Sequence, residues 1–334
     1  MSTPHARLTA VAVHLPDHTL TTAELEDRLA EHNPGLTVPR GLVTRFSGVR
    51  RRHLAPPTEL PSDLAVAAAR KLWARSGADP GRVDLLLYAG VCLDVLEPAT
   101  GHVVAAKLGL DCPVIDVRNA CNGVCNAIEI ADAFIASGAY RTVLVACGET
   151  CTKVMPWTIG GHQEYVDHAA AFTLSDAGAA LLLEADAEPG VLVRRFVARS
   201  AAWRAATVPL AYGSGGTRTG GFVVDGVALA EGVGGIPGDT LRTVLADHGL
   251  TWDDLAAVCV HQAALPALWA TCDHFGIPRD KVVVTIADHG NVAAATLPLQ
   301  LARLTGTGRV RRGDLVALVG VASGVSVGLV VLRW

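Results

Sequence analysis

The sequence predicts an α/β fold that is built from two similar halves. Half of the 334 residues are hydrophobic and only 5% are aromatic, a composition typical of helices packed closely on a buried sheet. Short apolar runs typical of strands alternate with segments of helical periodicity. Two of these runs recur later in the chain at a single offset. We therefore predict two copies of one α/β unit, residues 1–185 and residues 186–334.

The elements of the first half follow one another in a regular order. A helical pattern over 62–76 ends at Gly77, a residue typical of helix C-termini. After it the sequence predicts a strand over 83–89, a helix over 98–108, a strand over 113–118, a helix that ends at Ser137 and Gly138, and a strand over 142–147. The strands are continuous apolar runs, which indicates burial on both faces of the sheet.

The second half repeats this order with one difference. Residues 84–89 (DLLLYA) resemble 256–261 (AAVCVH), and residues 141–148 (RTVLVACG) resemble 313–320 (GDLVALVG), both at an offset of 172 residues. The closing strands, 178–184 and 327–333, are only 149 residues apart, so the first copy carries 23 extra residues near 151–171. Long insertions of this kind are often functional.

A glycine-rich stretch over 194–221, centred on 213–216, is predicted to be a second, mobile loop. Two interpretations stay open for it: a loop that covers a site, and an ordinary surface loop.

Charge and hydropathy argue against several classes of protein. The net charge is −4 without a basic run, so we expect neither a nucleic-acid partner nor an anionic membrane surface. The uncharged run over 315–332 is interrupted by glycine and serine, which favours two strands around a tight turn over a membrane helix. Residues 1–16 lack a continuous apolar core, and we expect a cytoplasmic protein without a signal peptide.

The eight cysteines do not form a metal-binding or disulfide pattern. Several lie inside apolar runs, where cysteine serves as a small hydrophobic residue. The C-x3-C spacings at 121/125 and 147/151 have no compact histidine pair beside them. We therefore expect no metal and no disulfide framework.

Cys121 is the cysteine whose position predicts chemistry. It lies in the motif NACNGVC (119–125), where the 113–118 strand turns into a helix. Free N–H groups and the partial positive charge of a helix N-terminus favour a thiolate and can stabilise an oxyanion. Gly123 is expected to let a substrate approach the backbone.

Two later residues complete a reactive set with this thiol. His261 follows the strand over 256–260, and Asn291 lies between a glycine and an alanine run. A cysteine can take an acyl group, a histidine can move a proton or donate to an enolate, and an asparagine can donate a second hydrogen bond. The combination predicts acyl transfer.

The order NACNG, HQAA, HGNVAAA and GVASGVSVG resembles the 3-ketoacyl-acyl-carrier-protein synthase III enzymes of the thiolase superfamily, over residues 44–334. The resemblance implies a five-layered αβαβα thiolase fold, a homodimer, and acyl-coenzyme A or acyl-carrier protein as substrate, without a cofactor. It implies that Cys121 is the acylated nucleophile and that His261 and Asn291 assist it. It also implies an oxyanion hole from the backbone of Cys121 and of the turn with Ser323 and Gly324, and a coenzyme A or carrier contact at Arg45.

Several positions depart from the housekeeping enzyme of that family. Arg40, Gly41 and Leu42 stand where a tryptophan would stack on coenzyme A, Ala264 replaces an asparagine, and Pro266 replaces an arginine of the carrier-docking patch. The identity of donor and carrier therefore stays open.

The segment EPAT (97–100) resembles the head-to-head condensing enzymes of bacterial olefin synthesis. The resemblance implies that Glu97 enters the partner subunit's site and acts as the base of a Claisen condensation without decarboxylation. The alternative is that Glu97 only favours the N-terminus of the following helix.

The leading hypothesis is a ketosynthase III-like acyltransferase that forms a C–C bond by Claisen condensation through acyl-Cys121, in polyketide or other specialised metabolism. The first alternative transfers the acyl group to an oxygen, nitrogen or sulfur nucleophile. The second is a non-catalytic partner subunit of a heteromeric condensing enzyme. Acyl chain length, the loss of a carboxyl group and the pathway stay open.

Overall fold

The strands form two large sheets and three short pairs in this computed structural model, which describes residues 4–213 and 216–334. The strands are β1 (His5–His14), β2 (Thr19–Thr21), β3 (Arg51–His53), β4 (Leu85–Tyr88), β5 (Val114–Asp116), β6 (Thr142–Thr150), β7 (Asp176–Asp186), β8 (Val191–Ala198), β9 (Ala206–Thr207), β10 (Leu210–Gly213), β11 (Gly216–Thr219), β12 (Val223–Val224), β13 (Ala257–Val260), β14 (Leu315–Ala322) and β15 (Ser326–Arg333).

The helices connect these strands. They are α1 (Thr22–His32), α2 (Leu42–Ser47), α3 (Pro61–Ser76), α4 (Thr100–Leu108), α5 (Gly123–Ala136), α6 (His162–Asp167), α7 (Gly226–Gly234), α8 (Thr240–Asp247), α9 (Leu265–Phe275), α10 (Ile286–His289) and α11 (Thr296–Gly306). The predicted stops at Gly77 and Gly138 both have positive φ, 69° and 76°, which glycine adopts without a steric cost.

The two large sheets share one strand order, as the internal repeat predicts. The first sheet runs β1-β7-β6-β4-β5 and the second runs β8-β15-β14-β13. In each sheet the first two pairings are antiparallel and the next is parallel. Val282 makes a parallel bridge to Val258, where β5 lies in the first sheet. The 172-residue offset holds, since β4 maps onto β13.

Five layers follow from the way the helices cover these sheets. Helices α3 and α4 pack on the outer face of the first sheet, α5 and α11 lie between the two sheets, and α8 and α9 cover the outer face of the second sheet. In β4, Leu85 and Leu87 face the middle layer, whereas Leu86 and Tyr88 face the outer one. Burial on both faces explains the continuous apolar runs of the sequence.

The uncharged run near the C-terminus forms two strands, as predicted. β14 and β15 pair antiparallel and are joined by a turn over 323–325. In the described part of the chain no helix has the length and apolar character needed to cross a membrane.

The prediction of a loop over 194–221 is partly wrong. Residues 194–198 complete β8, which pairs with β15, and residues 210–219 include the strands β10 and β11. The run RRFVA places two adjacent arginines before three apolar residues on an edge strand of the second sheet, and these charges concealed the strand. Ser214 and Gly215, at the centre of the predicted loop, lie outside the described residues.

Candidate active site

Cys121 lies at the corner between β5 and α5, where the sequence predicts it. Ala120 adopts a left-handed φ of 45°, which is costly for a residue with a Cβ atom and is typical of functional corners. The N–H groups of Asn122 and Gly123 close the turn on the carbonyls of Asn119 and Ala120, at 2.9 and 3.0 Å. The strained turn therefore holds the thiol at a fixed point before the helix begins.

Gly123 does not leave room for a substrate, and that expectation is wrong. A Cβ atom at Gly123 would lie 2.5 Å from the carbonyl oxygen of Ala89. The glycine is required because the N-terminus of α5 presses on the backbone at the end of β4.

Asn122 connects this corner to the second half of the molecule through hydrogen bonds of its side chain. Its buried Nδ2 donates to the carbonyl oxygen of Ser326 at 3.2 Å and to the Ser326 Oγ at 2.8 Å. A Cβ atom at Gly320 would lie 1.7 Å from Asn122 Oδ1, so only glycine fits on β14 at this point. The predicted oxyanion-hole residues Ser323 and Gly324 form the turn between these contacts, and both are partly exposed.

His261 reaches the same end of the second sheet. Its backbone N–H donates to the carbonyl of Val319 at 2.9 Å, next to Gly320 on β14. The side chain is buried, and burial lowers the pKa of its imidazole to about 4 because a charged ring would lose its hydration. The ring is therefore neutral near pH 7.

Asn291 lies two residues before Ala293, which belongs to the apolar cluster against which Cys121 packs. Asn291 Oδ1 accepts the N–H of Ala293 at 3.0 Å, a bond that does not involve its Nδ2 group. Ala293, like Ala120, has a left-handed φ, of 46°, and Cys121 packs against the apolar cluster that contains Ala293. That cluster includes Cys151 and Ala171, so the predicted insertion forms a wall of the site.

The expectation of a stabilised thiolate at Cys121 is wrong for the resting protein. Burial, followed by the charge of Glu149, raises the pKa of the Cys121 thiol to about 12. Helix α5 begins only at Gly123, and its N-terminal dipole does not outweigh the loss of hydration. Cys121 is therefore a neutral thiol near pH 7.

Glu149, at the end of β6, is a site residue that the sequence interpretation missed. Its buried carboxylate accepts the backbone N–H groups of Val91 (3.0 Å), Cys92 (3.2 Å) and Ala294 (3.2 Å). Burial raises its pKa to about 7. The signal was a lone acidic residue within an otherwise apolar strand.

Three potential metal ligands meet at this carboxylate, which the cysteine spacing did not predict. Cys92 Sγ lies 3.7 Å from Cys151 Sγ, and Cys151 Sγ lies 3.7 Å from Glu149 Oε2. The carboxylate oxygens already accept three backbone N–H groups, so their capacity for a metal ion is small.

The two remaining predicted residues lie at the surface. Glu97 is exposed on the loop between β4 and α4, beside Val95 and Leu96, which are 44% and 64% exposed. α4 begins at Thr100, two residues later than the predicted start at Pro98. Arg45 is exposed on α2, whose C-terminal Gly48 packs on Leu265 at the start of α9.

Comparison with known protein families gives two matches. Residues 115–201 match the family "3-Oxoacyl-[acyl-carrier-protein (ACP)] synthase III", and residues 245–334 match its C-terminal part. A curated relative, the β-ketoacyl-[acyl-carrier-protein] synthase III of Xanthomonas oryzae pv. oryzae, is 29% identical over 335 residues, 99% of this chain and 98% of the relative.

Solved structures of two kinds share the fold. A cysteine-to-serine variant of OleA from Xanthomonas campestris, with bound lauric acid and lauroyl-CoA, matches with a TM-score of 0.88 and 26% identity over 99% of both chains. The FabH of Pseudomonas aeruginosa matches with a TM-score of 0.85 and 28% identity, over 99% of this chain and 98% of that one. The fold is therefore the thiolase fold that the sequence predicts.

Proposed function

Because this chain belongs to the 3-oxoacyl-[acyl-carrier-protein] synthase III family, it is a condensing enzyme of the acyltransferase class, and we propose that it works through an acyl group on Cys121. The observation that carries the assignment of the nucleophile is the corner at Cys121. A strained Ala120, with φ 45°, precedes the thiol, and Asn122 binds the turn of the second half.

In the first step Sγ of Cys121 attacks the carbonyl carbon of an acyl thioester. The Sγ–C bond forms, the bond to the donor sulfur breaks, and the thiol proton leaves with the donor thiol. The backbone N–H groups of Cys121 and of the turn with Ser323 and Gly324 are the proposed donors to the oxyanion. One such donor is worth about 3 kcal/mol in the transition state.

In the second step the enolate of a second acyl thioester attacks the acyl-Cys121 carbonyl. The C–C bond forms, the Sγ–C bond breaks, and Sγ takes up the proton that the base removed when the enolate formed. The low pKa of His261, about 4, favours its role as a neutral hydrogen-bond donor over that of a base. Nδ2 of Asn291, whose Oδ1 accepts the N–H of Ala293, is the proposed second donor to the enolate oxygen.

Glu97 of the partner subunit is the proposed base that forms this enolate in a homodimer. The two exposed apolar residues Val95 and Leu96 precede it, and Leu96 is 64% exposed, which supports burial of this loop against another subunit. The edge strand β5 with the exposed Ile115 supports the same dimer. Entry into an apolar pocket would raise the pKa of the carboxyl into the range of a useful base.

The substrates are proposed to be acyl-coenzyme A or acyl-carrier protein, with Arg45 as a contact to the phosphates. The bound lauroyl-CoA of the OleA structure supports a long-chain acyl donor. Ala264 and Pro266, the second residue of α9, depart from the housekeeping pattern and favour polyketide or other specialised metabolism.

The test is intact-protein mass spectrometry after incubation with a panel of acyl-coenzyme A compounds. Wild type and Cys112→Ala, a matched control at another partly exposed thiol, should gain the acyl mass, and Cys121→Ala should not. Cys92→Ala should also gain it; loss of the acyl mass there would move the nucleophile to Cys92. Acylation of Cys121→Ala to the wild-type extent would reject the proposal.

Product analysis separates the rival reactions. A β-keto product supports condensation, whereas an ester, amide or new thioester supports transfer to a heteroatom. Turnover by the purified chain alone would exclude a non-catalytic partner subunit. Glu97→Gln should keep acylation and lose condensation, and unchanged condensation would reject its role as base.

A further inference from the structure

Glu149 occupies an unusual position for a buried carboxylate. It is fully buried, and in the described ranges, 4–213 and 216–334, it forms no ion pair. Burying a charge without an ion partner is costly. Three backbone N–H groups offset part of this cost by donating to the carboxylate of Glu149.

These N–H groups belong to two different loops, each of which carries a proposed site residue. Val91 and Cys92 begin the loop that leads to Glu97, and Ala294 follows Asn291 by three residues. The first loop belongs to the first half of the chain and the second to the other half. One carboxylate therefore ties the two loops together beside Cys121.

The charge of Glu149 also acts on its surroundings. The titratable groups that face it are Tyr88, Cys92, Cys121, Cys147 and Cys151, none of which is a cation. Thiols of Cys147 and Cys151 donate to its two oxygens at 3.6 and 3.7 Å. A negative carboxylate close to these thiols disfavours a second negative charge on any of the sulfurs.

We propose that Glu149 is a positioning residue that holds the Asn291 and Glu97 loops on one carboxylate. The inference rests on the proposed function only in taking Asn291 and Glu97 as residues that act on the second substrate. The carboxylate serves to hold both loops in place for that step.

Two variants test the anchor. Glu149→Gln removes the charge and one acceptor oxygen, and Glu149→Asp keeps the charge but is one methylene shorter. In both variants the backbone N–H groups of residues 91–97 and 291–294 should exchange with solvent about tenfold faster than in wild type, because the two loops lose their common acceptor. Hydrogen exchange followed by mass spectrometry measures this change.

Condensation provides the second measurement. Both variants should reduce kcat for condensation by about tenfold or more, the effect of losing a charge-assisted hydrogen bond, while the rate of acylation of Cys121 is kept. Asp176→Asn is the matched control, since Asp176 is a buried carboxylate at the start of β7 that accepts the backbone N–H groups of Ala55 and Thr152. It should leave the hydrogen exchange of residues 91–97 and 291–294 unchanged.

The outcomes are distinct. Unaltered exchange of residues 91–97 and 291–294 in folded Glu149→Gln, or condensation within about twofold of wild type in both variants, would overturn the proposal. Stoichiometric zinc that is lost in Glu149→Gln would overturn it too, because the carboxylate would then be a ligand. If wild type never acylates, the proposed function fails while hydrogen exchange still tests the anchor. If Glu149→Gln does not fold, Glu149→Asp alone decides the anchoring.

Discussion

The contact between Asn122 and Gly320 supports a sharp double-mutant prediction. A Cβ atom at Gly320 would lie 1.7 Å from Asn122 Oδ1 and 2.9 Å from its Cγ, whereas the next atom, Cys125 Sγ, is at 3.7 Å. Gly320→Ala alone must therefore displace Asn122 and should lower the free energy of unfolding by about 3 kcal/mol, the upper range for overpacking.

Asn122→Ala alone has a different cost. It removes the hydrogen bonds from Nδ2 to Ser326 and should lower the free energy of unfolding by about 1–3 kcal/mol. It also removes both atoms with which the Gly320→Ala methyl group would overlap. In that background Gly320→Ala should be neutral or stabilising by about 0.5 kcal/mol, since alanine restricts the unfolded chain more than glycine does.

The two substitutions should therefore be coupled by about 3 kcal/mol. Equilibrium unfolding in urea, with the four proteins at one protein concentration, measures the cycle. Gly101→Ala is the control, because its Cβ atom would meet Val114 Cγ1 at 2.4 Å and share no contact with Asn122; its effect should add to that of Asn122→Ala within about 0.5 kcal/mol. Additivity of Gly320→Ala and Asn122→Ala to the same precision would refute the reasoning.

Three further predictions concern strain and pH. Ala120→Gly should leave the free energy of unfolding unchanged or raise it by up to about 1 kcal/mol, because the left-handed φ of 45° no longer conflicts with a Cβ atom; a loss in urea unfolding would contradict this. The folded pKa of His261, about 4, lies below the ordinary 6.5. The free energy of unfolding should therefore be highest above pH 6.5 and should fall by up to about 3 kcal/mol as the pH is lowered from 6.5 to 4. His261→Gln should lack this dependence on pH. The effect of Glu149 on stability has the opposite dependence on pH, because its folded pKa of about 7 exceeds the ordinary 4.5. The free energy of unfolding should fall by up to about 3 kcal/mol as the pH rises from 4.5 to 7. The same fall in Glu149→Gln would contradict the burial argument.

Local patterns in the sequence were sufficient for the framework. Apolar runs, helix stops at glycine and a repeat at 172 residues predicted both sheets, because strand burial and helix termination depend on neighbouring residues. They failed over 194–198, where the charges of Arg194 and Arg195 on an edge strand resemble a loop.

The motifs also pointed to the proposed site residues but not to their electrostatics. Cys121, His261 and Asn291 were singled out by residue type and by their place at element ends. The charge state of the thiol was predicted with the wrong sign, because the helix-dipole argument uses only the local chain. Burial and the charge of Glu149, which raise the thiol pKa to about 12, depend on residues that are distant in sequence.

Sequence by itself thus determined the duplicated framework, the family and the residue types available for acyl transfer. Tertiary structure decided which backbone groups donate to Glu149 and which atom excludes a side chain at Gly320. It also decided that two alanines, Ala120 and Ala293, adopt left-handed conformations. The physical reason is that periodicity and end signals act over a few residues, whereas desolvation, steric exclusion and buried hydrogen bonds arise only when the two halves pack on each other.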